Sequence, residues 1–290
     1  MSRQPADREM SAFALLGFAL VIVLLSVIVY FAWRSYMRQN SAPPAPTTTS
    51  AAPADPTSEE RLIFGGLPRA HAPVKILRNQ GYIVGYSDER KDPLWACYRV
   101  FHVDYRPPLE RPRVTFASDP RTAAGVRSED YSGSGYDRGH MAPNHAIAKC
   151  YGHDAQLGTF IVSNICPQRP TLNQKVWEAL EHLEADIYPP RFNEVWVVDG
   201  PIFSENPKAI GFHRVQVPEA FYKIILEQHS GEPRTLSIIM PQTVVEADAG
   251  HLEKFLATIR QIQIATGIDF YPDLPEAQRR RIEDATPALW

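Results

Sequence analysis

The sequence predicts an α+β domain preceded by one transmembrane helix. Runs rich in β-branched and aromatic residues, bounded by Pro, Gly, Asp or Asn, predict strands at 81–87, 94–101, 158–163, 194–199, 221–227 and 235–240. Apolar residues spaced three and four apart predict two amphipathic helices, at 171–188 and 249–265. Because the strands do not alternate regularly with the helices, this order favours an α+β domain over a doubly wound one.

The transmembrane helix is predicted at residues 12–33, AFALLGFALVIVLLSVIVYFAW, which contain no charged side chain. At about 1.5 Å per residue this stretch spans the roughly 30 Å of a hydrocarbon core. It is longer than the apolar region of a signal peptide and no small-residue cleavage site follows closely. These features favour an uncleaved anchor after a short flank at 1–11.

The segment after the anchor, residues 34–61, is rich in Pro, Ala, Thr and Ser and predicts an extended tether. Arginines flank both ends of the anchor, so only the tether favours one orientation in the membrane. We therefore expect a single-pass protein held in the lipid bilayer, with the domain at 62–290 outside the cytoplasm.

The formal net charge of −3 over 290 residues excludes a global electrostatic attraction to nucleic acid or acidic membranes. A site for a polyanion must therefore be a local patch. Five arginines lie close together against Glu110 and Asp119: Arg106, Arg111, Arg113, Arg121 and Arg127. This cluster fits either phosphate contacts or a solvated loop, and its spacing does not separate the two interpretations.

The stretch GYDRGHMAPN at 135–144 contains the first candidate catalytic residue, His140. Gly139 allows close approach of the backbone, and Arg138 offers a planar fork that matches phosphate oxygens. Asp137 could orient either side chain. A single histidine is more often structural or merely exposed, so this stretch alone does not establish catalysis.

The predicted helix at 171–188 supplies a second candidate site. Thr171 is expected to cap this helix and Pro189-Pro190 to end it. Asn173 and Glu181 follow one shoulder of its apolar stripe, where an amide oxygen and a carboxylate could hold a hydrated hard cation. On spacing alone, a polar first-turn residue and a solvated glutamate explain the pattern better.

Cysteine and histidine spacing leaves two further alternatives open. His140, His145, Cys150 and His153 lie close in sequence and could bind zinc, although their intervals match no zinc motif. Three cysteines, at 97, 150 and 166, fit either one disulfide with a free thiol or three buried thiols.

The combination of YDRGHMAPN with VSNICPQRPTLNQKVWEALE resembles the DNA/RNA non-specific endonuclease family over roughly residues 66–276. The resemblance implies a ββα-metal fold with a central, mostly antiparallel sheet flanked by helices. It also implies a Mg²⁺-dependent endonuclease, in which Mn²⁺ or another divalent cation can substitute, acting on DNA and RNA. Relatives often dimerise, so a homodimer is a further expectation.

The same resemblance assigns roles to individual residues. His140 corresponds to the general base, Asn173 to the metal ligand and Glu181 to the residue that holds the metal's water molecules. Arg138 corresponds to a charge stabiliser. We choose Arg113 as the upstream phosphate-facing arginine, with Arg111 and Arg121 as alternatives. Three polar residues are expected around the substrate: Asp137, Asn164 and Gln168.

Two rival functions have to be separated from this one. A tethered protein that binds nucleic acid without cutting it needs phosphate contacts but no general base. A phosphodiesterase acting on small nucleotides would leave long duplexes intact. The presence of His140, Asn173 and Glu181 together favours the nuclease.

Overall fold

A six-stranded antiparallel sheet forms the centre of the computed structural model, which describes residues 58–104 and 115–290. The strands are β1 (Arg69–Ala70), β2 (Lys75–Asn79), β3 (Tyr82–Ser87), β4 (Asp92–Phe101), β5 (Asp137–His140), β6 (Ile165–Gln168), β7 (Glu194–Ile202), β8 (Ala209–Ile210), β9 (Val215–Gln216), β10 (Ala220–Glu227), β11 (Arg234–Pro241) and β12 (Ile268–Asp269). The sheet has the order β11-β10-β7-β4-β3-β2. Outside it, β5 pairs with β6, β8 with β9 and β1 with β12, each antiparallel.

The helices cover this sheet, and three of them lie in the connection between β4 and β7. They are α1 (Glu59–Leu62), α2 (Asn144–Tyr151), α3 (His153–Gly158), α4 (residues 172–192), α5 (Ile259–Thr266) and α6 (Glu276–Glu283). The long helix α4 alternates between π-helical segments, Leu172–Trp177 and Leu183–Ile187, and α-helical segments, Glu178–His182 and Tyr188–Phe192. Short 3-10 turns occur at Ser128–Tyr131, Val162–Asn164, Glu246–Gly250 and Leu252–Phe255.

Both faces of the sheet are covered, which explains why β3 and β10 are buried along their whole length. On one face, Tyr98 belongs to the same apolar cluster as Trp177 and Leu180 of α4. On the other face, Trp95 clusters with Ile262 of α5. A strand covered on both sides needs apolar residues at successive positions rather than at alternate ones. The α+β architecture with a central antiparallel sheet is therefore confirmed.

The state of the cysteines is resolved by burial. All three cysteines lie in the described residues, where each is a buried thiol outside any disulfide. Cys150 is held against the backbone of Phe101, whose peptide nitrogen donates to its sulfur at 3.4 Å. Three interior thiols are therefore the correct alternative.

Most of the predicted strands are confirmed, with boundaries shifted by a few residues, but the strand at 158–163 is wrong. These residues contain the end of α3 and the start of the 3-10 turn Val162–Asn164, and only an isolated bridge joins Ile161 to Ala117. A short apolar run does not by itself distinguish a strand from other buried structure. Here Phe160 is apolar because its ring packs against Phe116.

Both predicted helices differ from the structure at their ends. Thr171 does not cap α4, because it already has helical dihedral angles and Asn173 donates its peptide N–H to Arg169. The helix also continues through Pro189-Pro190 to residue 192. The two prolines lie in the first turn of the α-helical segment Tyr188–Phe192, where a backbone N–H has no partner within the segment, so its absence in proline is tolerated. The helix predicted at 249–265 is broken, and only α5 is α-helical.

Several predicted segments lie outside the described residues. These are the flank at 1–11, the apolar segment at 12–33, the tether up to residue 57, and Arg106, Arg111 and Arg113. Within residues 58–104 and 115–290, none of the helices has the length and apolar character that crossing a membrane requires.

Candidate active site

The sequence Asp-Arg-Gly-His forms strand β5, and β6 pairs with it in antiparallel register. The packing of the Gln168 side chain against β5 requires glycine at position 139. A Cβ atom there would lie 1.9 Å from Oε1 of Gln168, far inside van der Waals contact. Because residues alternate along a strand, Arg138 and His140 share one face of β5 and Asp137 lies on the other. Because β6 pairs with β5 and is followed directly by α4, the start of α4 lies next to β5.

His140 lies in an apolar pocket formed by two aromatic rings. Its ring centroid is 5.4 Å from that of Phe116 and 5.0 Å from that of Phe160. Nε2 is buried and has no hydrogen-bond partner in the described residues. Burial penalises the charged imidazolium and lowers the pKa of His140 from 6.5 to about 4. The imidazole is therefore neutral at physiological pH and able to accept a proton.

Arg138 is held in place by neutral groups. Its Nε donates to Oγ of Ser128 at 2.9 Å, and its Nη2 donates to the Ser128 carbonyl at 2.5 Å and to Oγ of Ser132 at 3.2 Å. The guanidinium carbon lies 5.9 Å from the Phe116 ring and 5.6 Å from the Tyr131 ring. No carboxylate among the described residues pairs with it. Its positive charge is thus oriented but not neutralised.

Asp137 fixes the orientation of Asn173. Nδ2 of Asn173 donates to Oδ2 of Asp137 at 3.0 Å, and Nε2 of Gln174 donates to the same oxygen at 2.7 Å. With the amide nitrogen bound to the carboxylate, the other end of the amide group is left as an acceptor. Oδ1 of Asn173 accepts no hydrogen bond from the described part of the chain.

Both His140 and Asn173 line a cavity of about 580 Å³ that also contains Glu181. Burial is the largest influence on Glu181 and raises its pKa to about 8, while the charge of Lys223 opposes this rise. Glu181 forms no hydrogen bond with another residue in the described ranges. Sequence reasoning assigned no role to the five other lining residues, of which the first two belong to the GYDRGHMAPN stretch: Pro143, Asn144, Gln174, Lys175 and Glu178.

The cavity offers amide and carboxylate oxygens, the donors that hard cations such as Mg²⁺ prefer. A zinc site of nitrogen and sulfur ligands is not supported. His145 pairs with Asp186, at 3.3 Å, and no group of three or more His, Cys, Asp or Glu side chains in residues 58–104 and 115–290 is placed to hold a metal ion.

The polar residues Asn164 and Gln168 lie in the interior next to β5. Oδ1 of Asn164 accepts from the peptide nitrogen of Ala142 at 2.9 Å, and its Nδ2 donates to the carbonyls of Ala142 and Thr159. Gln168 is fully buried against Gly139, and its amide atoms have no partner among the described residues. Asn164 thus holds the backbone that follows His140.

The upstream arginines are only partly described. Arg113, our choice as the phosphate-facing arginine, and Arg111 lie outside the described residues. Arg121 binds the buried Asp119, with Nη2 2.7 Å from Oδ2, and donates to the Arg78 carbonyl. It therefore anchors its loop instead of lying free on the surface.

A buried charge network lies beneath α4 and was not predicted from the sequence. The fully buried Nζ of Lys223 is 2.8 Å from Glu184, 3.1 Å from Asp199 and 2.9 Å from the hydroxyl of Tyr98. Burial raises the pKa values of both Glu184 and Asp199, to about 7 for Asp199. The sequence does contain a signal, because Lys223 and Asp199 interrupt the apolar runs FYKIIL and VWVVDG.

Comparison with known proteins identifies the class to which this fold and site belong. The model of the DNA/RNA non-specific endonuclease family matches residues 69–277. Mitochondrial endonuclease G from Homo sapiens is 31% identical over 215 residues, which cover 69% of this chain and 70% of the relative. The Bos taurus protein of the same name is 33% identical over 224 residues, 72% of each chain.

A solved structure agrees with the fold. The crystal structure of an EndoG/EndoGI complex, described as revealing the mechanism of EndoG inhibition, matches with a TM-score of 0.63 and 24% identity. The match covers 74% of this chain and 90% of that one. The chain belongs to the DNA/RNA non-specific endonuclease family. It is accordingly a nuclease, a hydrolase of nucleic acid, in a family that generally depends on a divalent metal ion.

The predicted localisation is contradicted by these relatives. They are named as mitochondrial nucleases and not as single-pass membrane proteins, and the helices of the described residues are too short or too polar to span a membrane. The lipid bilayer as a partner and the homodimer likewise find no support in the relatives or in residues 58–104 and 115–290.

Proposed function

We propose that the protein cleaves internal phosphodiester bonds of DNA and RNA with His140 as general base and one Mg²⁺ ion bound by Asn173. One observation carries this proposal. The neutral His140 and the acceptor oxygen of Asn173 line the same cavity as Glu181. Strands β5 and β6 with helix α4 would then form the ββα-metal unit of the nuclease.

His140 would remove a proton from the attacking water molecule. Water is a weak nucleophile, so the base must be unprotonated at the working pH. The rings of Phe116 and Phe160 support this role because they exclude solvent from the imidazole and keep it neutral.

The oxygens of Asn173 and Glu181 fit a hydrated hard cation, whose positive charge would favour the ionised carboxylate of Glu181 over the protonated form that burial favours. Asp137 occupies the amide nitrogen of Asn173 and thereby directs the amide oxygen elsewhere. Glu181 would hold water molecules in the coordination shell, since its carboxyl group is not engaged in a hydrogen bond within the described residues. When bound, Mg²⁺ would neutralise the charge that gathers on the phosphate oxygens and assist departure of the 3′ oxygen, and Mn²⁺ or another hard divalent cation can substitute.

Arg138 would stabilise the negative charge that develops in the transition state. Its fork is held by Ser128 and Ser132, so little reorganisation is needed when a phosphate arrives. Contacts of this kind reach only the sugar-phosphate backbone, which explains activity on both DNA and RNA. We further propose that Asp137, Asn164 and Gln168 position this machinery, because their contacts run to Asn173, to backbone or to Gly139.

The test is cleavage of closed circular plasmid by the full chain in Mg²⁺ and, separately, in EDTA. We expect nicking and linearisation that stop in EDTA and fall by a factor of about 100 or more in His140→Ala, since a positioned base contributes roughly 10²–10⁴-fold. His229→Ala is the matched control, because His229 is exposed in the turn after β10.

Three outcomes would overturn the proposal. Folded protein that binds the plasmid and leaves it intact with every divalent metal would instead be a binding module. Hydrolysis of dinucleotides without any cleavage of a long duplex would identify a phosphodiesterase of small nucleotides. Equal activity of His140→Ala and His229→Ala would remove His140 from the mechanism.

A further inference from the structure

A short hairpin near the site presents an exposed aromatic ring. Strands β8 and β9 pair as Ala209↔Gln216 and Ile210↔Val215, and Phe212 lies in the turn between them. Its side chain is 91% exposed, more than that of any other large apolar residue in the described ranges. Single exposed apolar residues are common, so exposure alone does not identify a function.

Hydrogen bonds and close packing hold this hairpin against the rest of the domain. Asp130 accepts hydrogen bonds from Nδ1 of His213 at 2.8 Å and from its peptide N–H at 3.0 Å. Gly211 is packed so closely that a Cβ atom would lie 2.4 Å from Cβ of Asp130. Val215 is fully buried in a small cluster with Tyr131. Phe212 therefore projects from a fixed support on both sides of the turn.

The support is the same segment that holds the proposed charge stabiliser. Asp130 belongs to the 3-10 turn Ser128–Tyr131, and Ser128 of that turn binds Arg138 through its hydroxyl and its carbonyl. The ring of Tyr131 contacts Arg138 as well. The turn thus connects Phe212 on one side with Arg138 and the cavity of His140 on the other.

Positive charge accompanies the aromatic ring. Arg127, Lys208 and Arg214 are exposed on the segments that form and support the hairpin, and none has a carboxylate partner in the described residues. Two exposed carboxylates, Glu129 and Glu205, lie on the same segments. With the uncompensated Arg138, basic side chains exceed acidic ones at this edge of the site.

We propose that the β8–β9 hairpin is a nucleic-acid contact, in which Phe212 stacks on a base while Arg127 and Arg214 bind the adjoining phosphates. The proposal rests on the nuclease function proposed above and defines how a long substrate is held there. Stacking is compatible with a non-specific enzyme because every base presents a π face. A ring on a fixed support loses little conformational freedom when it binds, which favours affinity.

The experiment has two parts, and each substitution is tested in both. Binding of a fluorescent oligonucleotide in Mg²⁺ is measured in the full chain that also carries His140→Ala, so that the substrate is not cut. Cleavage is measured in the full chain that retains His140. Phe212→Ala is expected to weaken binding about tenfold, within the range measured for base–aromatic stacking, and Phe212→Trp to retain it. Arg214→Gln should lower the slope of log K against log salt concentration by about one, whereas Phe212→Ala should leave that slope unchanged. Ile264→Ala is the control, because Ile264 is 79% exposed on α5, which packs on the other face of the sheet.

The results separate this proposal from the proposed function. If Phe212→Ala binds and cleaves as Ile264→Ala does, while His140→Ala still abolishes cleavage, the hairpin contact is refuted and the nuclease function stands. If the unchanged chain neither binds nor cleaves nucleic acid, both proposals fall together. If Phe212→Leu retains the affinity that Phe212→Ala loses, the contact is apolar but not a stack, and the stacking assignment is refuted.

Discussion

Replacing Lys223 by methionine tests whether the buried charge network stabilises the support of the active site. The Nζ atom lies 2.8 Å from Glu184 and 3.1 Å from Asp199, and all three side chains are 0% exposed. Methionine has a similar length but no charge, so the variant leaves two carboxyl groups without their cation. The network joins β4, β7 and β10 to α4, the helix that carries Asn173 and Glu181.

The magnitude follows from the burial of the network. Removing one partner of a buried ion pair costs about 3–5 kcal/mol, because the remaining charge stays desolvated. A domain of ordinary stability has about 5–15 kcal/mol in total, so the loss would be a large share of the whole. An exposed pair is worth about 0–1 kcal/mol. Lys254→Met, which breaks the surface contact of Lys254 with Asp248, therefore serves as the matched control.

The assay is urea unfolding of the two variants and of the unchanged chain at pH 8 and at pH 5. In Lys223→Met the folded-state pKa values of Glu184 and Asp199 rise above their unfolded values, even further than in the unchanged chain. A carboxyl group whose pKa is higher in the folded than in the unfolded chain lowers the free energy of unfolding as the pH rises above the unfolded pKa of about 4. We therefore expect the deficit of Lys223→Met to be largest at pH 8 and to shrink at pH 5.

Two results would refute this reasoning. A deficit of less than about 1 kcal/mol, equal to that of Lys254→Met, would mean that the buried cation contributes no more than a surface pair. A large deficit that is the same at both pH values would assign the loss to packing around Trp177, whose ring lies 4.8 Å from Nζ of Lys223.

Further predictions concern the cavity and the strand beneath it. Because the pKa of His140 is about 4 in the folded chain, this side chain becomes protonated in the unfolded chain but stays neutral in the folded chain as the pH falls from 6.5 towards 4. Lowering the pH from 7 to 5 should thus destabilise the unchanged chain by about 2 kcal/mol more than His140→Ala, measured by urea midpoints. Gly139→Ala should cost about 1–3 kcal/mol in the same assay, since its Cβ would overlap Gln168. Asn173→Ala should raise the Mg²⁺ concentration needed for half-maximal plasmid cleavage at least tenfold, and Gln263→Ala, on α5, should leave it unchanged.

The catalytic candidates were predicted from the sequence only through the family resemblance of two short segments, because spacing alone left both candidate sites undecided. His140 and Arg138 share one strand, and Asn173 and Glu181 share one helix, so local spacing already relates the members of each pair. The alternation of β5 and the turn of α4 are properties of the backbone that no distant contact changes. What spacing alone could not give is the hydrogen bond between Asp137 and Asn173, which joins the two segments.

The support of the site could not be predicted because it depends on register between distant strands. Asp199 faces Ala96 on one side and Lys223 on the other, and nothing in the intervening sequence specifies that alignment. The same limit applies to the hairpin that carries Phe212, whose strands have only two residues each.

The four residues of β5 explain why an acid can adjoin an arginine without neutralising it. In an extended strand, neighbouring side chains point to opposite faces. Asp137 therefore reaches Asn173, while Arg138 lies with His140 on the face that contacts Phe116. Gly139, on the same face as Asp137, leaves room for Gln168. On a helix, adjacent side chains would project only about 100° apart, and Asp137 would no longer be separated from Arg138 and His140.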